Sequence, residues 1–366
     1  MRRLGFVGTP CQVQGLRKLQ ALQAATGREW IGRVELVLGL FCTGNWSYAC
    51  MRGFLEKHGV SAAEVTRMVI SGGVVKLRMK RMQMVLPLRE LRRYTRMACR
   101  LCVDFTSELS DISAGSAGSP PGWSTLIVRT RNGEILLNEA VDEGAVELIE
   151  LEDGVEELSR VAGSKVEKNT RRIEARIEQG MEVPHYSTRN LEDMQQVLRL
   201  ASGKGYAELW REIVATGVCD ACGACAAVCG QIQMINGLPR LKGRCPAGCE
   251  LCYAACTRTA LPLRLLEDTL IRDGQRAEYL GRFRRIVGAR STADSAGQDG
   301  GAVTALIKFS LNSGFIDGAL LTCRGDGWEP AVRLVHRHED VETCAGTVYA
   351  VSSPLPELRR YAHVSI

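Results

Sequence analysis

Cysteine is the residue type whose number and spacing could do chemistry. The 366-residue chain has fifteen, and eight of them fall between Cys219 and Cys256. The run CDACGACAAVCG places Cys219, Cys222, Cys225 and Cys229 at C-x2-C-x2-C-x3-C, and CPAGCELCYAACTR adds Cys245, Cys249, Cys252 and Cys256. Three thiolates within seven residues can wrap one corner of an iron-sulfur cubane, whereas a structural zinc site more often uses separated C-x2-C pairs. No export signal follows Met1, so metal or redox chemistry is a better explanation of these thiols than disulfides. Two zinc sites, or a merely thiol-rich loop, are the competing readings, and the spacing weighs against both.

The first run has the spacing of the two-cluster bacterial ferredoxins, in which the fourth cysteine of each run ligates the other cluster. By that pairing Cys219, Cys222, Cys225 and Cys256 hold one 4Fe-4S cluster, and Cys229, Cys245, Cys249 and Cys252 hold a second. Two departures stand out. The proline that usually follows the fourth cysteine is Gly230 in one run and Thr257 in the other, and three residues separate Cys245 from Cys249. All eight thiolates survive, so altered loop geometry and potential are expected, with both clusters retained.

Other cysteines sit where elements change. Leu4 to Val7 reads as a short strand, Gly8-Thr9-Pro10 as a turn, and Gln12 onward as a helix with Val13, Leu16 and Leu19 on one face. Cys11 therefore lies at a strand-to-helix junction, where open α/β sheets build their sites. A second strand, Val34 to Phe41, runs into Cys42, and ACRLCVDF supplies Cys99 and Cys102. These four thiolates are enough for a third 4Fe-4S cluster; the alternative is that Cys11 and Cys42 are small buried residues, as free cysteines often are. Cys50, Cys323 and Cys344 have no companion at ligand spacing and read as core or loop residues.

Two glycine-led segments complete the inventory. Gly115 to Gly122 is rich in backbone N–H and hydroxyl donors, suited to a phosphate. It precedes Trp123–Thr130 and Glu134–Leu137, which flank Asn132-Gly133, a hairpin signal. GQDGGAVTALIKFSLNSGF predicts a helix over 302–312, with Gly314 as its stop and Gly300 and Gly301 aiming N–H groups at an anion.

Taken together these segments resemble the coenzyme F420 hydrogenase/dehydrogenase beta-subunit family. The resemblance is carried by VGTPCQ (7–12), FCTG (41–44), CRLCVDFTSELSDISAGSAGS (99–119), GWSTLIVRT (122–130), QDGGAVTAL (298–306) and AGTVYAVSSP (345–354), and it covers most of the chain. It implies an α/β fold: a mixed-sheet flavoprotein body with Rossmann-like strand-turn-helix units, plus a small α+β two-cluster ferredoxin domain. It implies FAD, coenzyme F420 as hydride partner, and a cluster on Cys11, Cys42, Cys99 and Cys102. It further suggests flavin or deazaflavin contacts from Gln298, Asp299, Gly300, Gly301 and Thr304, from Gly115, Ser116, Gly118 and Ser119, and from Thr347 and Tyr349. Family members commonly carry lysine where this chain has Val348.

The order is reversed. Residues 1–186 resemble the family's C-terminal half, 187–209 reads as a linker, 210–265 as the ferredoxin domain, and 266–366 as the family's N-terminal half. The missing neighbours of the first strand are thus expected from the far end of the sequence. A circular permutant, a homodimer with swapped halves, and a gene fragment or fusion all fit that order.

Composition sets the remaining bounds. A net charge of +6 is too weak to argue for nucleic acid, and no apolar run approaches a membrane span, so a cytoplasmic protein is expected. Lys76, Arg78, Lys80 and Arg81, followed by Arg89, Arg92, Arg93 and Arg96, form a basic stretch that either meets the phosphate and polyglutamate of the deazaflavin or is an ordinary charged face. Residues 151–179 are charge-dense with helical spacing and read as a solvated helix, and His336 and His338 as a surface strand. The preferred reading is an iron-sulfur flavoprotein passing electrons between coenzyme F420 and 4Fe-4S clusters, with redox partner subunits of a hydrogenase/dehydrogenase-type complex. A non-catalytic ferredoxin-type carrier, or a relative reducing another organic substrate, are the alternatives.

Overall fold

The computed structural model describes residues 3–185, 191–293 and 299–361. Its central sheet contains β1 (Leu4–Gly8), β2 (Val34–Leu40), β3 (Ile112–Gly115), β4 (Ser124–Val128), β5 (Val146–Ile149), β6 (Arg285–Ser291), β7 (Gly318–Arg324) and β8 (Pro330–Val335). They lie in the order β8-β7-β1-β2-β3-β4-β6-β5. The strands β7, β1, β2 and β3 are mutually parallel, with Leu4 opposite both Gly318 and Val34 and Leu38 opposite Ile112. The outer neighbours pair antiparallel. The parallel strands are short apolar runs because helices cover both faces; Phe6, Leu36, Val37, Ile112 and Leu320 are all buried.

This register finds the neighbour of the first strand. β1 lies between β2 and a strand from the far end of the chain, so one chain completes the sheet without a second copy. One apolar core joins residues of both halves, including Leu38 and Leu126 with Ala289, Leu306 and Ala319. A second core joins Phe6, Val13 and Leu16 to Cys222, Ala227 and Leu355.

Several helices position the cysteines. Helix α1 (Pro10–Ala21) starts where Thr9 leaves the strand, with proline at its first position and the Gln12 side chain accepting from the Thr9 N–H at 2.8 Å. Helix α2 (Arg131–Asp142) replaces the expected hairpin at Asn132-Gly133. The Thr130 hydroxyl accepts from the Gly133 N–H at 3.2 Å, capping the helix. A Cβ on Gly133 would lie 2.4 Å from the Asp111 carbonyl oxygen, so close packing, not a turn, explains the glycine. Helix α3 (Gly154–Glu178) accounts for the charge-dense segment. It is not wholly solvated: Leu158, Ala162, Asn169 and Ile173 are buried beneath it. Helix α4 (Ala302–Asn312) runs as the glycine pattern predicts, from Gly301 in the left-handed region to Gly314 just beyond its end. His338 begins a short helix (His338–Val341) in place of the expected strand.

Two smaller units flank the sheet. A three-stranded sheet (Val65–Ser71, Val74–Met79, Gln83–Pro87) carries Lys76 and Arg78 on its exposed face, with Arg89 and Arg92 on the next helix. The eight-cysteine segment forms two short helices, Ala224–Val228 and Leu251–Ala255, around an antiparallel hairpin whose Asn236 and Gly237 both have positive φ. The segment expected as a linker contains, in its described part, helices Met194–Ala201 and Tyr206–Leu209. Ala201 and Leu209 join one core with Cys225, Tyr253 and the body's Leu101 and Ile173, so this unit is welded to the body. Among the described residues no helix is long and apolar enough to cross a membrane.

Candidate functional site

β1 and β2 are adjacent and parallel, so their carboxyl ends deliver Cys11 and Cys42 to one edge of the sheet. The Cys42 N–H donates to the Phe105 carbonyl at 2.9 Å, which fixes the loop after β2 against the segment that follows Cys102. Cys99 lies in the short helix Met97–Arg100 and Cys102 just beyond it. Burial pushes the Cys42 thiol up to about 12, with Lys165 opposing the shift and Cys99 and Cys102 adding to it. Burial likewise raises Cys11, reinforced by Asp220 and Cys102, and it raises Cys99 against the pull of Arg96. Backbone N–H groups of Gly44 and Asn45 reach the sulfurs of Cys42 and Cys99.

Helix α3 packs against these cysteine segments. The Lys165 ammonium donates to the carbonyls of Cys42 and Asp104, each at 2.6 Å, and to the Cys102 sulfur at 3.5 Å. Burial acts to lower its pKa, but Cys102, Cys42 and Asp104 outweigh burial and raise it. One turn on, the Asn169 amide donates to the carbonyls of Cys99 (3.1 Å) and Cys102 (2.7 Å).

The other eight cysteines form two overlapping electrostatic neighbourhoods. Cys219 feels Cys256; Cys222 feels Cys256 and Cys225; Cys225 feels Cys219 and Cys256, and also Cys252. Cys252 feels Cys229, Cys245 and Cys249, and then Cys256, while Cys245 feels Cys249 and Cys229. Burial, the largest cause throughout, pushes Cys219 and Cys252 up to about 12. Backbone N–H groups of Ala221, Ala224 and Ala226 reach the sulfurs of Cys219, Cys222 and Cys225, and that of Arg258 reaches Cys256 at 3.4 Å.

Among the described residues no three His, Cys, Asp or Glu side chains converge as ligands of a single metal ion. Around one tetrahedral ion with bonds of about 2.3 Å the sulfurs would stand roughly 3.8 Å apart. A cubane presents one iron to each thiolate and needs a wider set. The donor chemistry fits such a group: clustered sulfurs, most of them withdrawn from water, N–H donors that reach them, and the ammonium of a half-buried lysine facing thiols. A thiol needs no such donors; an anionic sulfur does.

Helix α1 joins the two regions along one face. Cys11 stands at its start, and a Cβ on Gly15 would lie 3.2 Å from the Cys222 sulfur. Lys18, fully buried, donates to the carbonyls of Cys256 and Ala260; burial lowers its pKa to about 7 against the pull of Cys256 and Cys222. The Arg96 guanidinium donates to the carbonyls of Cys219 (3.0 Å) and Asp220 (2.9 Å). A buried ion pair, Arg258 with Asp220 at 2.8 Å, stands within electrostatic reach of Cys11 as well as Cys222 and Cys256. Lysines and an arginine embedded among cysteines leave no motif in a sequence, and neither α3 nor α1 advertised Lys165, Asn169 or Lys18.

The glycine segments meet in part. Ser116 hydrogen-bonds Asp299, whose carboxyl is raised by burial against Ser116 and Arg67, so the 115–119 loop and the 299–301 turn are neighbours. A Cβ on Gly300 would lie 2.8 Å from the Ser124 backbone nitrogen, and Asp299 and Gly301 both have positive φ. Other positions have packing reasons for their residue type. A Cβ on Gly115 would strike the Phe41 ring at 2.2 Å, and one on Gly118 the Gly154 carbonyl at 2.2 Å. The Ser119 hydroxyl donates to the Trp123 carbonyl at 3.0 Å, and the Tyr349 hydroxyl accepts from the Ile70 N–H at 3.1 Å. Thr347 is exposed, and Thr304 lines a separate cleft of about 640 Å³ with Glu139, Lys308 and Glu342. Gln298 lies outside the described residues. Cys323 and Cys344, read as unpaired fillers, are joined by a disulfide between β7 and the turn after His338–Val341. Their separation of 21 residues hid that contact, which depends on the turn folding back onto the strand.

Fold and site together define a mixed α/β protein with cysteines gathered where β1 and β2 end and in the 219–256 segment. Two family descriptions for coenzyme F420 hydrogenase/dehydrogenase match the chain: residues 1–154 match the C terminus of its beta subunit, and residues 286–359 match the N-term of the same subunit. The chain is 35% identical over 189 residues to the coenzyme F420 hydrogenase subunit beta of Methanothermobacter thermautotrophicus, covering 50% of this chain and 67% of the relative. It is 36% identical over 191 residues to the protein of the same name from Methanococcus voltae, again 50% and 67%. In the solved F420-reducing [NiFe] hydrogenase complex from Methanosarcina barkeri, one chain matches at 35% identity and TM-score 0.45, covering 48% of this chain and 62% of that one. The chain belongs to the coenzyme F420 hydrogenase/dehydrogenase beta-subunit family, with the C-terminal segment placed before the N-terminal one.

Proposed function

We propose that the chain is the F420-reacting, electron-distributing subunit of an F420-linked oxidoreductase, holding FAD and three 4Fe-4S clusters. Family membership supports the F420-linked chemistry. The observation that supports the rest is the clustering of the cysteines, with Cys42, Cys99 and Cys102 together beside Cys11 and eight more over 219–256, buried in part and reached by backbone N–H donors. FAD, when bound, supplies the exchange between two-electron hydride chemistry with the deazaflavin and one-electron transfer.

The chain's own residues would do the rest. Cys11, Cys42, Cys99 and Cys102 would hold the cluster nearest the sheet edge. Cys219, Cys222, Cys225 and Cys256 would hold the next, across the Asp220–Arg258 pair, and Cys229, Cys245, Cys249 and Cys252 the last. Cys245 and Cys249 are partly exposed, which suits an outlet to a redox partner subunit. Ser116, Asp299 and the Gly300-Gly301 turn would border the flavin or deazaflavin. Arg67 acts on Asp299, and the exposed Lys76 and Arg78 on the strand paired with that of Arg67 would serve as cations for an anionic tail. Direction follows the relative potentials of donor and acceptor.

The test is iron and flavin content per chain after anaerobic purification. About twelve iron with one FAD is expected for three four-iron clusters. About eight iron without flavin would leave only a ferredoxin-type carrier, and the oxidoreductase reading of this chain would fail.

A further inference from the structure

Resting on the cluster reading above, we propose that Lys165 is a positioning residue that raises the reduction potential of the Cys11/Cys42/Cys99/Cys102 site. Lys165 is half-buried, and its ammonium meets the Cys102 sulfur at 3.5 Å and the Cys42 and Asp104 carbonyls at 2.6 Å. Asn169, four residues later on the same face of α3, holds the carbonyls of Cys99 and Cys102. Three of the four cysteines are thus gripped by one helix, and a cation is delivered to a sulfur. Lys18 and Arg96, by contrast, donate to backbone carbonyls beside the eight-cysteine unit.

Adding one electron to a four-iron cluster makes it one unit more negative without making or breaking a bond. Hydrogen bonds to the sulfurs and nearby charge are the protein's controls on that equilibrium. An ammonium in contact with a ligating sulfur, and partly withdrawn from water, favours the more negative form. The site at the sheet edge is therefore built as the ready acceptor of single electrons, and Lys165 is the group that makes it so.

The experiment is an EPR-monitored redox titration of the full anaerobic chain, as wild type, Lys165→Met and Lys165→Arg, with iron content measured alongside. The signal missing from Cys42→Ala identifies the body site. In Lys165→Met the one-electron equilibrium of that site shifts at least tenfold toward the oxidised form, 59 mV for one electron. The signals of the other two sites stay where they are, and Lys165→Arg restores the wild-type value within about threefold. If Lys165→Met loses the body's iron, retention of iron and potential by Lys165→Arg still supports the role of the charge. Loss in both, or an unchanged potential in a fully loaded Lys165→Met, overturns the proposal. A wild-type chain with no signal that depends on Cys42 instead overturns the cluster reading itself.

Discussion

At the residue scale, the molecule tolerates an unusual density of buried charge because each group has a defined partner. Arg129 is fully buried and donates to the Ser113 hydroxyl (2.7 Å), the Thr106 hydroxyl (2.9 Å) and the Leu280 and Arg282 carbonyls (2.9 and 2.7 Å). Asp111 takes Arg17 at 2.9 Å, the Val37 N–H at 2.7 Å and the Thr130 hydroxyl at 2.6 Å. Glu108, half-buried beside Asp104 and Arg129, is different. Burial, then Asp104, pushes its carboxyl up to about 8 from 4.5, with Arg129 opposing, Glu267 adding and Arg276 opposing. Between those two pH values the folded protein holds a proton that the unfolded chain has released. The stability tied to that proton is complete below pH 4.5 and is lost as pH rises toward 8. Melting temperatures taken from pH 5 to 8.5 should therefore fall in the wild type and fall less steeply in Glu108→Gln. Parallel curves would mean that Glu108 ionises in the fold as readily as in the unfolded chain.

At the element scale, α3 shows why a helix can be legible while its purpose is not. Its period and charge identify it, and its polar face looks ordinary, yet the i, i+4 pair Lys165 and Asn169 points at the cysteines. Truncating Asn169 to leucine would strand two carbonyls in a buried site, at a cost of about 2 kcal/mol. In denaturant titrations Asn169→Leu should lower the midpoint with the slope unchanged. An unmoved midpoint would mean that water replaces the amide. Strands β1 and β2, helices α1 and α4 and the cysteine spacings are readable because period, capping and ligand spacing are local. Asn132-Gly133 carries a hairpin signal but opens a helix, because α2 packs Gly133 against Asp111, a contact with no local signature. The helices at 194–209 read as a linker because Ser202, Gly203 and Gly205 interrupt them and their apolar side chains meet a core assembled from distant segments.

At the scale of the whole molecule, the reversed order costs the fold little because contacts, not chain order, define the sheet. β1 finds β7 in parallel register, and the Gln12 amide donates to Ser352, from the far end of the chain, at its carbonyl (3.0 Å) and hydroxyl (3.1 Å). Leu355, near the end of the described chain, packs where a Cβ on Gly15 would sit, so the late segment already lies against α1. The cost of closing a loop grows only slowly with its length, about 0.6 kcal/mol per doubling. A chain rebuilt with residues 187–366 ahead of 1–186 should therefore keep the same sheet, because β1 and β7 pair whatever the order in which the chain supplies them. Expressed anaerobically, it should show the same iron and flavin per chain, the same mass in solution and a denaturation midpoint close to that of the original. A rebuilt chain that assembles only the eight-cysteine unit, or changes its association state, would show that the order of segments itself guides folding.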